Sequence, residues 1–272
     1  MRRIGSWVGF GLVLTAMAAG LAGCASARPA SVRVLCYNIH HGEGMDGKID
    51  LERIADVIRR SEADLVALQE VDRGVARTNR VDQPAELAKL TGMHAVFERN
   101  IVYQGGDYGN AILSRYPVES HKNHFLPQSR PDEQRGLLEV RVRVAGKPLV
   151  FCATHLSYHG DDQERMDSVE LLREMMTYWD GLPVIVAGDF NALPDSRVLA
   201  AATAFLHDAQ TADPTEGLTF PADEPVRRID YILHNGARGL KPIESRVIPE
   251  PIASDHRPLL AVFELGTGDE RQ

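Results

Sequence analysis

The chain has 272 residues, of which 44 % are hydrophobic and 25 % charged, with 38 acidic against 30 basic side chains and a formal net charge of −8. That length fits one large domain or two small ones, and the acidic balance argues against the broad basic footprint of tight, non-specific duplex binding. Bound metal ions could offset part of the charge.

Residues 1–23 read as a leader: Arg2 and Arg3, an apolar stretch, then Leu21-Ala22-Gly23 before Cys24. This resembles the bacterial lipoprotein cleavage motif, with Cys24 as the lipidated first residue of the mature chain. A plain signal peptide or an uncleaved anchor helix are the alternatives. The tethered reading predicts a protein exported to the cell envelope, on its periplasmic or extracellular face, and held at a membrane surface rather than spanning it. Loss of two arginines and no acid would take the net charge from −8 to −10. Residues 24–31 read as a lipidated tether, 32–265 as one domain and 266–272 as a flexible tail; no low-complexity tract or charge block divides the domain.

Short runs rich in Val, Ile, Leu and Phe predict strands at 32–39, 64–69, 94–98, 110–114, 117–125, 137–144, 148–154, 183–188, 229–233, 243–248 and 258–264. Leu138, Val140, Val142 and Val144 alternate with Glu139, Arg141 and Arg143, the pattern of a strand with one wet face. Leu51, Ile54 and Ile58 after the N-cap Asp50 predict a helix, as do Met166, Val169, Leu172, Met176 and Trp179. Weaker helical patterns lie at 84–91 and 195–206. Strands in hairpin-like pairs outnumber helices, which predicts two packed sheets with helices outside. Cys36 and Cys152 lie in apolar runs and read as two buried thiols rather than a disulfide; neither has the spacing of a zinc site.

Polar motifs close many of these runs. Asn38 ends the first strand and Glu70 the second, an amide oxygen and a carboxylate that suit the oxygen-only coordination of Mg²⁺. Gly188-Asp189-Phe190-Asn191 follows Val184 to Ala187, so Asp189 and Asn191 leave the strand on the same side, able to orient a water and hold a phosphoryl oxygen. A plain strand-to-loop turn uses the same residue types. Asp230 sits in the otherwise apolar Ile229-Asp230-Tyr231-Ile232 and needs a partner: the imidazole of His256, or Arg228 or Arg257. His155 closes another apolar run and could donate to a phosphoryl oxygen. The inventory is that of metal-assisted phosphoester hydrolysis.

Asn38, Glu70, His155, Asp189, Asn191, Asp230, Asp255 and His256, in this order and context, with the segment Gly109 to Arg115, resemble the endonuclease/exonuclease/phosphatase superfamily, the deoxyribonuclease I-like fold. The resemblance spans 32–264 and is closest to the compact bacterial metal-dependent hydrolases. It implies an α+β, four-layer αββα sandwich with the active site at one edge of the two sheets. It also implies that Glu70, Asn38 and Asp255 gather Mg²⁺, with Mn²⁺ as the alternative, and that Asp189 and Asn191 position water and phosphate. His256, paired with Asp230, would act as general base and His155 would stabilise charge on phosphorus; whether His256 or Asp189 takes the proton is left open.

Rim loops supply candidate substrate contacts: Asn110, His40, Arg80 and Arg135, with further candidates in 77–80, 103–108 and 157–162. No long basic or aromatic-rich insertion suited to gripping a duplex is present. The sequence therefore predicts an exported Mg²⁺-dependent phosphodiesterase or phosphomonoesterase, monomeric, acting on a phospholipid head group or a small extracellular phosphoester. A secreted metal-dependent nuclease is the second reading, and a non-catalytic ligand-binding lipoprotein on the same fold the third.

Overall fold

The computed structural model describes residues 1, 30–210 and 217–266. The leader, Cys24 and nearly all of the expected tail lie outside the described residues.

Among the described residues, twelve strands and four α-helices follow one another in the order β1 (Ala30–Asn38), α1 (Leu51–Ser61), β2 (Leu65–Arg73), α2 (Gln83–Thr91), β3 (His94–Tyr103), β4 (Gly106–Ser114), β5 (Val118–Phe125), β6 (Gly136–Val144), β7 (Lys147–His155), α3 (Gln163–Tyr178), β8 (Val184–Asp189), α4 (Arg197–Thr203), β9 (His207–Asp208), β10 (Asp230–His234), β11 (Lys241–Val247) and β12 (Leu259–Leu265). They build two six-stranded sheets, ordered β11-β12-β1-β2-β4-β3 and β5-β6-β7-β8-β10-β9. β1 begins at Ala30, so the last two residues assigned to the tether are strand. They pair with Leu265 and Glu264 of β12.

The two-residue period of a strand sorts each sheet's side chains between two cores. Val32, Val34 and Cys36 of β1 face Leu138, Val140, Phe151 and Ile185 of the other sheet in the layer between them. Leu35 and Tyr37, one residue out of phase, pack instead against Ile54, Val57 and Ile58 of α1. On the far side, Val150, Cys152, Val184 and Val186 pack against Val169, Leu172 and Trp179. The result is the four-layer αββα sandwich. Asp50 caps α1 by accepting from the Arg53 N–H, and Ser196 caps α4 by accepting from Leu199. Cys36 and Cys152 are buried free thiols in different layers.

The face of β6 expected to be wet is partly covered. Glu139 is buried, where it accepts from Arg141 and meets His124 at 2.9 Å, and the Arg141 guanidinium lies over the Tyr178 ring of α3. Alternation reports which residues share a face, not what packs on it.

Topology positions the site. β1 pairs with β2 in parallel, and β7 with β8, each through a crossover helix. Their C-terminal ends, carrying Asn38, His155 and Asp189, therefore open at one edge, joined by Glu70 at the bulge of β2, which runs on to Arg73 rather than ending at Glu70 as expected. β10 and β12 run antiparallel to β8 and β1, so their N-terminal ends bring Asp230 and the loop with Asp255 and His256 to that same edge.

Candidate active site

Asp189 is the centre of the arrangement. It sits directly opposite His155 on β7 and opposite Asp230 on β10 in the sheet register, so the three side chains are forced onto one face. Its Oδ2 lies 3.5 Å from His155 Nε2 and 3.7 Å from His256 Nε2. Asp230 Oδ2 is 2.9 Å from His256 Nδ1 in a pair that is 1 % and 5 % exposed. Of the three partners considered for Asp230, the imidazole is the one it has; Arg228 binds Asp208 at 2.5 Å.

Burial decides the charges. It pushes the Asp189 carboxyl well above the usual carboxylate range, and nearby Asp230 adds to this. Burial pulls the other way on His256, but attraction and hydrogen bonding to Asp230, then Asp189 and Asp255, more than offset it and hold the ring well above the ordinary imidazole range. His155 is driven well below that range by burial, then by Arg135 and His256. Arg135 Nη1 donates to His155 Nδ1 at 2.8 Å, which, by the hydrogen-bond network, leaves the proton of the neutral ring on Nε2, facing Asp189. Arg135 is itself held by Glu133 at 2.7 Å.

Asn38 is fully buried and bridges the two sheets: its Nδ2 donates to Glu70 Oε1 at 2.9 Å and to Asp189 Oδ2 at 3.2 Å, while its Oδ1 accepts from the His40 N–H. The amide thus turns its nitrogen toward the carboxylates, as acids on both sides require. It orients Glu70 and Asp189, and would have to turn over to act as the metal ligand expected of it. Asn191, in left-handed backbone with φ 47°, donates from Nδ2 to the Leu156 carbonyl and lies 3.1 Å from His155 Nε2.

These residues line a cleft of about 420 Å³. Glu70, Asp189, Asp255, His155, His256, Asn191 and Arg135 are in its wall, joined by Arg77, Tyr103, Tyr108 and Tyr158 from the expected rim loops. Arg77 is fixed as a fork on buried Asp72 at 2.8 and 2.9 Å and lies over Tyr103 and Tyr108. Two expected contacts are elsewhere. Asn110 is buried and donates to the Gly136 carbonyl, and Arg80 reaches back to Gly74. His40 stands beside the wall, 3.9 Å from Asp255. Glu133, Phe220 and Arg227, which sequence reasoning missed, are also in the wall, with Ile101 and Ile229; Arg227 stacks over Phe220, whose ring lies 4.8 Å from that of His256. The one clue to Arg227 was its place just before the Ile229-Asp230 motif.

Hard oxygens from Glu70 and Asp255, beside an Asp189 that lacks full charge compensation and an Asp230 Oδ1 buried without a partner, fit a divalent cation better than an empty apolar pocket. A two-sheet sandwich with such a polar edge can hold a cation and pass protons among Asp189, His155 and His256.

The comparisons agree. The model of the Endonuclease/Exonuclease/phosphatase family matches residues 35–256, and the chain belongs to that family, whose members are phosphoester hydrolases that usually use a divalent metal. Uncharacterized protein YbhP of Escherichia coli K12 is 32 % identical over 251 residues, 86 % of this chain and 97 % of its own. A solved endonuclease/exonuclease/phosphatase from Beutenbergia cavernae is 27 % identical over 88 % of this chain and 72 % of its own, with a TM-score of 0.73. The mannosyl-6-phosphatase Bt3783 of Bacteroides thetaiotaomicron shares the fold at 18 % identity, 85 % and 98 % coverage and a TM-score of 0.68.

Proposed function

We propose that this chain is an exported, Mg²⁺-dependent phosphoester hydrolase, a phosphodiesterase acting on a small phosphoester such as a phospholipid head group. The observation that carries the reading is Asp189 set between the imidazoles of His155 and His256, with Asp230 paired to the far nitrogen of His256. A divalent cation on Glu70 and Asp255, with Mn²⁺ an alternative to Mg²⁺, would neutralise charge at phosphorus and make a bound water more acidic.

The chain's own residues do the rest. Asp189, raised into a range suited to accepting a proton near neutral pH, takes it from the attacking water. His256, held protonated, gives its Nε2 proton to the leaving oxygen as the P–O bond to it breaks, and Asp230 keeps that nitrogen pointed into the cleft. His155 Nε2–H and the Asn191 amide hold a second phosphoryl oxygen, with Arg135 fixing the tautomer of His155. This divides the two proton roles left open by sequence: Asp189 is the base and His256 the acid.

The cleft supports a small substrate. Its volume is that of a single small-molecule site, and the exposed Arg227 presents a guanidinium beside Phe220, with Tyr103 and Tyr108 held under Arg77 across the cleft, suited to one anionic group next to a flat or sugar-like one. A secreted nuclease is the second reading; the acidic surface of the chain disfavours it. A non-catalytic binding lipoprotein would not need the full catalytic set. In this proposal Cys24 carries the lipid, the protein is a monomer, and the anchor brings the cleft to a membrane surface of the cell envelope. The test is a panel of mono- and diesters, phospholipid vesicles and plasmid DNA with Mg²⁺. Turnover of small phosphoesters without DNA cleavage is expected, whereas rapid plasmid degradation with no small-substrate activity sinks the proposal in favour of the nuclease.

A further inference from the structure

We infer that His40, His41 and Glu70 form a second cation site, rich in nitrogen and selective for a transition-metal ion, Zn²⁺ in the first place, beside the oxygen-only position at the cleft. Each of the three brings one ligand atom within 4.8 Å of the others. Two imidazoles and a carboxylate are the donor set of a site for Zn²⁺ and its neighbours, with a position left for water, and a poor one for Mg²⁺, which prefers oxygen.

Three independent features make this a built site rather than a chance cluster. The first is backbone strain. His40, His41 and Glu70 all lie in the left-handed region, at φ 44°, 45° and 59°. His, like Asn and Asp, adopts this region more readily than other side chains, so the cost falls mainly on Glu70, at about 1–2 kcal/mol. The strain is pinned from all sides: buried Gln83 donates to the His41 carbonyl at 2.7 Å, the Asn38 side chain accepts from the His40 N–H at 3.1 Å, and Asp50 N–H donates to the Gly42 carbonyl at 2.9 Å. At Glu70 the strand register slips between Leu68 and Val71, which breaks the regular pleat at the ligand.

The second feature is an orphan. His41 is 7 % exposed, and its Nδ1 is buried without a hydrogen-bond partner, an arrangement that costs free energy unless something binds there. The third is the supporting acids. His41 Nε2 meets Glu43 Oε2 at 3.2 Å, and His40 Nδ1 lies 3.9 Å from Asp255 Oδ1. A carboxylate on the far nitrogen is the usual device for orienting a metal-bound imidazole. The acids Glu43, Glu70 and Asp255 around the two rings also favour a cation and oppose a phosphate contact, which would want the histidines without them.

The inference stands on these residues whatever the reaction at the cleft, and its test does not use turnover. Chelator-stripped protein is titrated with Zn²⁺ by calorimetry in excess Mg²⁺, and with Co²⁺ followed by its visible absorption, which reports nitrogen ligation. His40→Asn and His41→Asn remove an imidazole while keeping a residue that tolerates positive φ, and His207→Asn, an exposed histidine outside the cluster, is the control. One Zn²⁺ should bind against excess Mg²⁺, each cluster variant should weaken it by about tenfold or more, and Glu43→Gln by about 10–100-fold, with His207→Asn unchanged. Zinc-edge anomalous diffraction of the unaltered protein is independent of variant folding and should place a peak against His40 and His41. Zn²⁺ binding that Mg²⁺ abolishes, that ignores both cluster substitutions, or a peak only at Asp189 and His256, overturns the inference.

Discussion

Asp230→Asn should move both limbs of the pH–rate profile, because the same carboxylate acts on both proton-carrying groups. Its Oδ2 accepts from His256 Nδ1 at 2.9 Å with both partners nearly fully buried, a charge-assisted contact of about 1.5–3 kcal/mol. At about 1.4 kcal/mol per pKa unit, losing it should lower the apparent pKa of His256 by roughly 1–2 units and bring the alkaline limb down with it. Asp230 is also, after burial, the largest cause holding the Asp189 carboxyl up, so the acid limb should move down too. A slackened His256 should cost about 10²–10⁴ in kcat/KM. The assay is kcat/KM for bis-p-nitrophenyl phosphate across pH at fixed saturating Mg²⁺, with a melting curve to establish that the variant folds. A uniform drop with both limbs in place refutes the role given to Asp230. Movement of the acid limb alone refutes the division of labour between Asp189 and His256, since it makes the imidazole the base.

Asp189→Asn should lose activity yet gain stability in chelated protein. Burial raises this carboxyl from 3.8 to about 7, so between those values the folded state holds the proton more tightly than the unfolded one, and the group's stabilisation is present below about pH 4 and lost as pH rises through 7. The variant should melt above wild type at pH 7, less the effect of its lost hydrogen bonds, and lose that advantage near pH 4; equal melting at both refutes the charge assignment. Arg135→Lys keeps the charge but loses the planar guanidinium whose Nη1 donates to His155 Nδ1 and lies 2.7 Å from Glu133. Its kcat should fall about tenfold or more with KM little changed, whereas a change in KM alone would make Arg135 a binding group. Gly109→Ala places a Cβ 2.0 Å from the Glu98 carbonyl. The β3–β4 hairpin should part there, with a loss of about 3 kcal/mol or more read by chemical denaturation.

Sequence carried the fold because the apolar periods are local and strong. The runs around Val34, Val66, Phe151, Val186 and Ala261 each lie within a strand of the structure, and the helix stripes at Ile54 and Val169 face the sheets as their spacing requires. What it lost was short or irregular. β9 is two residues long and has no period to read, and β3 and β4 run well beyond the predicted 94–98 and 110–114 because Glu98 to Asn100 and Gln104 to Asp107 interrupt the apolar run and disguise the hairpin. The site followed the same division. Residues at the ends of paired strands were legible, since a polar residue that closes an apolar run can be seen without coordinates. Asn110 and Arg80 were misplaced because amide and guanidinium side chains satisfy backbone carbonyls as readily as substrates. Phe220, Arg227 and Glu133 reach the cleft from loops whose course no local pattern encodes. The tension at His40 and His41 is visible only in the backbone.

The central claim is metal-dependent phosphoester hydrolysis at Asp189 and His256. It is tested most directly by hydrolysis of bis-p-nitrophenyl phosphate by the chain from Ala25 onward, with Mg²⁺, with chelator, and with Asp189→Asn and His256→Ala alongside. Turnover that needs the metal and falls about 10²-fold or more in each variant is the predicted result. Turnover that survives chelation or either substitution, in proteins shown to be folded, contradicts the account.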